Sequence, residues 1–528
     1  MNIKHRSSLI LVSIAIAWAF DQLFFKKTPG ISFPIFAIVF LIGLVWLAWR
    51  EKVKPAIPAL ILLAVTLFFA VMTSVREQPF VTFINVLLTV TGMALLLLTF
   101  ENGLWHQYSL SDYFMGVLRL TGAAFANPIK FLSAKPAGGE NENSQPRKKI
   151  SFWSVVAGIL IAIPVVAALT ALLASADPIF SAKVNDFFIL FRIEKWGEYL
   201  FRACYIIVLA YLLIGVILHA ITASRERKLI GVEKPWLSPF LDWIQSVIVL
   251  TAVNLVFLAF VIVQFQYFFG GQSNIVIDGY TFAEYARKGF NELVGVTFIS
   301  LALLFALTSV TKRETKNQRR SISVLGTLLV LLVVVILVSA FQRLMLYENA
   351  YGFTRIRLQT HVLMVWLGIL LVATLVLELI NKPRVFGLAA LLVSLGFGLT
   401  LNVINPDAMI VKLNLQPDYT TQELDAQYLT TLSSDATPNL VKAFQDVSLP
   451  IKTHNQLGAV LTCRREAIKQ DRQETSWQSF HFSRHLAEKY MKLIDADLSA
   501  YQLVDDTEQG GPAVKIGSNR INCWSSMD

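Results

Sequence analysis

From Ser321 to Gln342 the chain carries no charged residue, and Leu, Val and Ile fill most of the stretch. A run of that length matches the roughly 20 apolar residues a helix needs to cross a bilayer. Hydrocarbon offers no water to satisfy a backbone N–H or C=O, so a continuous apolar run bonds to itself as a helix, whereas a barrel strand would alternate. Comparable runs lie near residues 8–25, 31–49, 56–75, 80–100, 152–176, 200–222, 239–268, 291–311, 357–380 and 385–404. With 321–345 they predict about eleven transmembrane helices. At 55% hydrophobic and 16% charged residues, the chain needs lipid as the solvent for most of its length.

The net charge of +10 does not point to nucleic acid, because Lys and Arg sit in short loops between apolar runs and form no stripe interleaved with aromatics. They orient the protein instead. A cytoplasmic N-terminus places Lys4/Arg6, Arg50/Lys52/Lys54, Arg147-Lys148-Lys149, Arg225/Arg227/Lys228/Lys234, Lys312/Arg313/Lys316/Arg319/Arg320 and Lys382/Arg384 inside. That face then carries roughly twice the Lys and Arg of the other. An odd number of spans puts the C-terminal domain outside. Lys4-His5-Arg6 resembles the start of a signal peptide and Ala15-Ile16-Ala17 a cleavage motif, but apolar residues continue through Trp18, Ala19 and Phe20. The segment reads as an uncleaved anchor.

The expected fold class is an all-α membrane protein with a soluble α-rich C-terminal domain. Residues 1–105 form a four-helix membrane segment, 106–151 an interfacial helix and polar cytoplasmic linker, 152–404 a seven-helix core, and 405–528 the extracytoplasmic domain. In the second of these, Leu110, Tyr113, Phe114, Val117 and Leu118 recur at helical spacing. Residues 135–146 are polar and rich in Gly and Pro, the composition of a disordered linker. In the last domain Leu424, Tyr428, Leu429 and Leu432 mark an amphipathic helix, Thr437-Pro438 an N-cap followed by N1, and 482–494 another helix. Residues 510–524 read as turns with a short hairpin.

Four loops on the predicted outer face mix acids, guanidinium groups and aromatics: 176–180, 284–290, 347–355 and 405–407. Asp177, Glu284, Arg287, Tyr351, Arg355 and Asn405 are the candidate ligand- or partner-binding residues, of a kind suited to a polar or anionic ligand. Each has a simpler reading. Asp177-Pro178 ends a helix, Glu284 and Arg287 pair at i, i+3, Gly352 supplies a positive φ, and Arg343, Arg355 and Arg357 snorkel to the interface.

Among polar residues within spans, Arg202 and Glu378 lie near span ends, while His361 and Asn254 suit interhelical hydrogen bonds. His481 and His485 are one helical turn apart but lack the Glu and third ligand of a zinc site, so no metal or cofactor is expected. No Walker A, nicotinamide-binding or Gly-x-Ser-x-Gly pattern occurs in a convincing context. An extracytoplasmic compartment would permit Cys463 and Cys523 to pair, whereas Cys204 serves as a small apolar residue.

Ser175-Ala-Asp-Pro-Ile-Phe180, Tyr280-Thr-Phe-Ala-Glu-Tyr-Ala-Arg-Lys-Gly-Phe290, Tyr347-Glu-Asn-Ala-Tyr-Gly-Phe-Thr-Arg355 and Asn405-Pro-Asp-Ala together resemble a bacterial membrane-protein family, domain of unknown function 4173, related to the 4153 group. The resemblance covers residues 150–440, leaving the first four spans and the last ninety or so residues outside it. It implies a multi-pass protein of the bacterial inner membrane and no particular activity. Its recurrent positions would be Asp177, Pro178, Glu284, Arg287, Gly289, Phe290, Tyr351, Gly352, Arg355, Asn405 and Pro406.

The leading expectation is a non-enzymatic envelope sensing, binding or scaffold protein, with the bilayer and an envelope protein or lipid as partners. One alternative is a transporter or lipid flippase, drawing on the span count and on Phe187, Phe188, Phe191 and Trp196 in an interrupted segment at 177–198. No internal repeat is visible to strengthen it. Another is an intramembrane enzyme on a lipid-linked substrate, with Glu284 or Asp177 as base and the arginines as anion clamps.

Overall fold

The computed structural model describes residues 4–133, 196–225, 239–269, 290–380, 382–416, 424–474, 476–506, 511–516 and 519–523, with Leu229 and isolated positions between 162 and 183. The helices are α1 Arg6–Phe24, α2 Ser32–Arg50, α3 Ile57–Val75, α4 Pro79–Thr99, α5 Leu110–Ser133, α6 Trp196–Thr222, α7 Trp243–Phe269 and α8 Phe290–Val310. They continue as α9 Lys316–Tyr351, α10 Arg355–Leu379, α11 Phe386–Ile404, α12 Pro406–Asn414, α13 Ala426–Thr430, α14 Thr437–Phe444, α15 Ile451–Glu474 and α16 Phe482–Lys492. Strands β1 Leu503–Asp506, β2 Gly511–Ile516 and β3 Asn519–Asn522 follow.

Among the described residues ten helices, α1 to α4 and α6 to α11, are long and apolar enough to cross a membrane. The chain is therefore a nearly all-α polytopic membrane protein. The expected span at 152–176 and the polar stretch at 135–146 lie outside the described residues, save for isolated helical positions in the former.

The chain divides into two units, residues 1–21 with 123–216, and residues 22–122 with 217–528. In the first, Asp21 is 2% exposed, and its carboxylate accepts from both Nε and Nη2 of Arg202 and from the Tyr205 hydroxyl. Arg202, placed near a span end where snorkelling would cost little, instead neutralises a buried carboxylate that would be costly to leave unpaired.

In the second unit apolar helix faces interlock around Leu304, Leu329, Val333, Leu367 and Leu371. Polar side chains pin neighbouring helices. Asn85 on α4 and Asn402 on α11 exchange amide hydrogen bonds of 3.0 and 2.6 Å, and Asn254 on α7 donates to Leu325 O on α9 at 3.0 Å. The first pair satisfies both amides and the second the Asn254 donor, within spans where no water is at hand. Helix α5 runs longer than the expected interfacial piece. Asp112 caps its start, taking the Ser109 N–H at 2.9 Å with Arg384 at 3.3 Å, while Leu110, Phe114, Val117 and Leu118 are exposed.

The C-terminal part packs α12 to α16 and a small sheet around Leu429, Leu440, Leu457, Val460, Ile494 and Val514. Leu358 of α10 belongs to the same core, so this domain's interior continues into a spanning helix. The strands form an antiparallel meander in which Val514 pairs with both Leu503 and Ile521, one strand more than the expected hairpin. A disulfide joins Cys463 on α15 to Cys523 after β3, with Cα atoms 4.9 Å apart. The expected helix through Leu424 and Leu432 shrinks to α13, with Asp425 as its cap. Thr437 is the first helical residue of α14 and not its cap, which is Ala436.

Candidate functional site

The turn between α9 and α10 needs Gly352, whose φ is +72°, a value at which a side chain would be strained. It sets Arg355 at the first position of α10. Asn405 ends α11 in the left-handed region (φ +52°), and Pro406 opens α12, placing Asp407 in its first turn. The two ends meet. Arg355 grips Asp407 with both arms of its guanidinium, Nε to Oδ1 at 2.8 Å and Nη2 to Oδ2 at 2.6 Å. Asp407 is fully buried and also accepts the Ser433 N–H at 2.6 Å, while the Arg355 N–H donates to the Tyr428 hydroxyl at 2.7 Å. Asn414 and Phe353 exchange hydrogen bonds of 2.7 and 2.9 Å beside them.

A second contact joins the α3–α4 turn, Arg76-Glu77-Gln78, to Ser433-Ser434-Asp435 ahead of α14. Asp435 Oδ2 accepts the N–H groups of Glu77 and Gln78 at 2.8 and 3.0 Å, and Glu77 Oε2 accepts the Ser434 N–H at 3.0 Å. Each segment thus caps the other. Ser483 donates to Asp435 Oδ1 at 2.8 Å, Arg484 grips Glu77, and Arg76 donates to the Asn402 carbonyl at 3.0 and 2.7 Å. His481, at the N-cap of α16, bonds through Nε2 to Thr73 O at 3.1 Å.

Charge is arranged to hold this joint shut. Burial opposes the Glu77 carboxylate, but Arg484 and the Ser434 N–H outweigh it and keep it below the usual carboxylate range. For Asp435 burial wins over its donors and pushes the carboxyl up. Burial also lowers His481 and Arg76 despite the acids nearby. Every carboxylate oxygen of Glu77, Asp407 and Asp435 already has a donor. A general base needs a lone pair aimed at substrate; these acids fasten one part of the chain to another.

Of the sequence-derived candidates, Arg355 and the 405–407 loop come together, and the expectation that Arg355 snorkels is overturned by its bond to Asp407. Arg357 stacks on Tyr347 at 3.9 Å and bonds back to the Tyr351 and Gly352 carbonyls, while Arg343 binds Gln264. Tyr351 is 43% exposed with its ring 5.1 Å from Tyr347, and Asn405 contributes its backbone turn, its buried Oδ1 having no partner among the described residues. Asp177 is exposed in the first unit, its N–H bonded to Leu173 O at 3.1 Å. Glu284 and Arg287 lie outside the described residues, as do Phe187, Phe188 and Phe191; Trp196 begins α6. His361 meets Glu348 at 2.9 Å, an interhelical bond between α10 and α9. His481 and His485 bind no common partner, and the described residues hold no cluster of three metal-ligating side chains.

Sequence reasoning missed Arg76, Glu77, Asp435, Ser483 and Arg484. The usable signal was a charged pair, Arg76-Glu77, in a turn too short to need one.

The family model described as domain of unknown function (DUF4153) matches residues 59–443, most of the chain. The family matched is the 4153 group, which the resemblance above gave as the related one. The match begins inside α3, so the third and fourth helices, expected to lie outside the family region, fall within it. It takes in Glu77, Arg355, Asp407 and Asp435 but neither Arg484 nor the disulfide. No curated protein and no solved structure matches the chain.

Proposed function

The chain belongs to the DUF4153 family, and we propose that it is an envelope binding or sensing protein whose extracytoplasmic C-terminal domain is locked onto the ends of its spanning helices. The joint carries this reading. Buried charges recruited from the α3–α4 turn, the α9–α10 turn and α12 make the domain a continuation of the helix ends, so that a load on one is felt by the other. A tethered domain free to tumble would need none of these charges.

The orientation has two supports beyond loop charge. Ile31 N–H donates to Phe480 O and Ser479 Oγ to Thr28 O, both at 2.8 Å, so the α1–α2 turn touches the C-terminal domain. The turn and the domain then share one membrane face, whatever the total span count. The Cys463–Cys523 disulfide belongs in an oxidising compartment.

Two experiments test the reading. A phosphatase fused at residue 528 should be active only if the domain faces outward, and a fluorescent fusion that matures only inside should stay dark. Arg355→Met and Glu77→Gln, at normal abundance in the membrane, should reproduce the phenotype of deleting residues 424–528. Full function in both variants would sink the coupling.

A further inference from the structure

The joint leaves no carboxylate oxygen free, and a groove on the same domain does the reverse. Between the α14–α15 connection and the turn at Asp497–Ala500 lies a cavity of about 650 Å³, within the range of about 300–1,000 Å³ that small-molecule sites occupy. Phe444 forms part of its floor, 5% exposed, with the His454 ring stacked on it at 4.3 Å and Tyr501 meeting its edge at 6.3 Å.

Tyr501 is placed by what it touches. Its hydroxyl donates to Asn455 Oδ1 at 3.3 Å, and its ring lies so close to α15 that a Cβ at Gly458 would stand 2.1 Å from Cζ. Only glycine allows that approach. Around the aromatic floor stand the Gln445 amide, Asn455 Nδ2 and the Asp497 carboxylate. None of the three has a protein partner among the described residues.

The lining selects among ligands. It holds an acid and neither Lys nor Arg, which disfavours an anion. With one Phe444 face taken by His454, the rings do not cage an ammonium group. An acyl chain would cover Val447, Leu449 and Ile451, but it would strip water from three planar polar groups and offer them no bond in exchange. A pyranose satisfies both parts, its C–H face lying on an aromatic ring and its hydroxyls bonding to amides and a carboxylate. We propose that this groove binds a short neutral oligosaccharide, Tyr501 serving as the stacking face and Gln445, Asn455 and Asp497 as the hydroxyl readers. The inference gives a ligand class to the sensing reading above and rests on the domain facing the envelope.

The test uses the full chain in nanodiscs, titrated calorimetrically with maltotriose, cellotriose and tri-N-acetylchitotriose, and with tetramethylammonium and inorganic phosphate for comparison. At least one trisaccharide should bind saturably with Kd below about 1 mM. Asp497→Ala and Gln445→Ala change exposed side chains, should leave the melting temperature alone, and should each weaken binding about tenfold. Tyr501→Ala should abolish it. The proposal is overturned if no trisaccharide binds, if affinity survives all three substitutions, or if tetramethylammonium or phosphate binds while the trisaccharides do not. Trisaccharide binding by a chain whose terminal phosphatase fusion is inactive would keep the groove and remove the outward-facing reading.

Discussion

Arg355→Met removes the guanidinium that neutralises Asp407, whose carboxylate is fully buried and keeps only the Ser433 N–H. Breaking a buried pair from one side costs about 3–5 kcal/mol, because an uncompensated charge stays in a place of low dielectric. Replacing both partners with apolar residues of similar size, Arg355→Met with Asp407→Leu, removes the orphan charge and is expected to restore most of that loss. The assay is limited proteolysis of the nanodisc-embedded protein across the joint. When reclosing outpaces cleavage, the rate tracks the open population. At about 1.4 kcal/mol per decade, either single variant should be cut roughly two to four orders of magnitude faster, and the double variant within about tenfold of the parent. Single variants that change cleavage less than about fivefold would refute the joint, as would a double variant showing the sum of the two losses.

Glu77 sits below the ordinary carboxylate range, so its contribution is complete above about pH 4.3 and lost as pH falls through its folded value. Acid should therefore open the joint, and Glu77→Gln should delete this acid-side loss in a pH series of the same proteolysis. Asp435 has the opposite sign, its contribution being present at low pH and lost as pH rises through its raised value. Removing the Cys463–Cys523 bond, which closes 60 residues of chain, with paired Ala substitutions should cost about 4 kcal/mol by loop entropy, read as earlier denaturant unfolding of the domain. Asn85→Leu should cost about 1–2 kcal/mol by orphaning Asn402 within the bundle, and Asn402→Leu added to it should cost less than its own single effect. Gly458→Ala should swing Tyr501 off α15 and weaken trisaccharide binding at little cost in melting temperature, since the far end of a side chain can give way.

Apolar runs were legible because a bilayer imposes one length and one backbone solution on them. Charges within them were harder to read. Asp21 and Arg202 each look like residues near a span end, and only the fold shows that 181 positions of chain bring them together. Arg355 and Asp407 stood in two conspicuous loops, yet their bond depends on a left-handed Asn405 that no local pattern specifies. Glu77 and Ser434, 357 residues apart, share no periodicity at all. The meander was half visible, since turn residues near Gly510 announce a reversal, whereas pairing Val514 with both neighbours is a choice made by the core.

The joint also has a timetable. Glu77 is synthesised 407 residues before Arg484, and Thr28 is 451 residues ahead of Ser479. At the usual pace of translation, about 5–20 residues per second, the α3–α4 turn waits roughly 20–80 s for its last partner. Until Asn402 and Ser434 follow, the helices can already lie in the bilayer while the turn presents a bare acid and a bare arginine. A chain cut short before Asn402 would stay in that condition permanently, and the open turn would distinguish it from a finished protein.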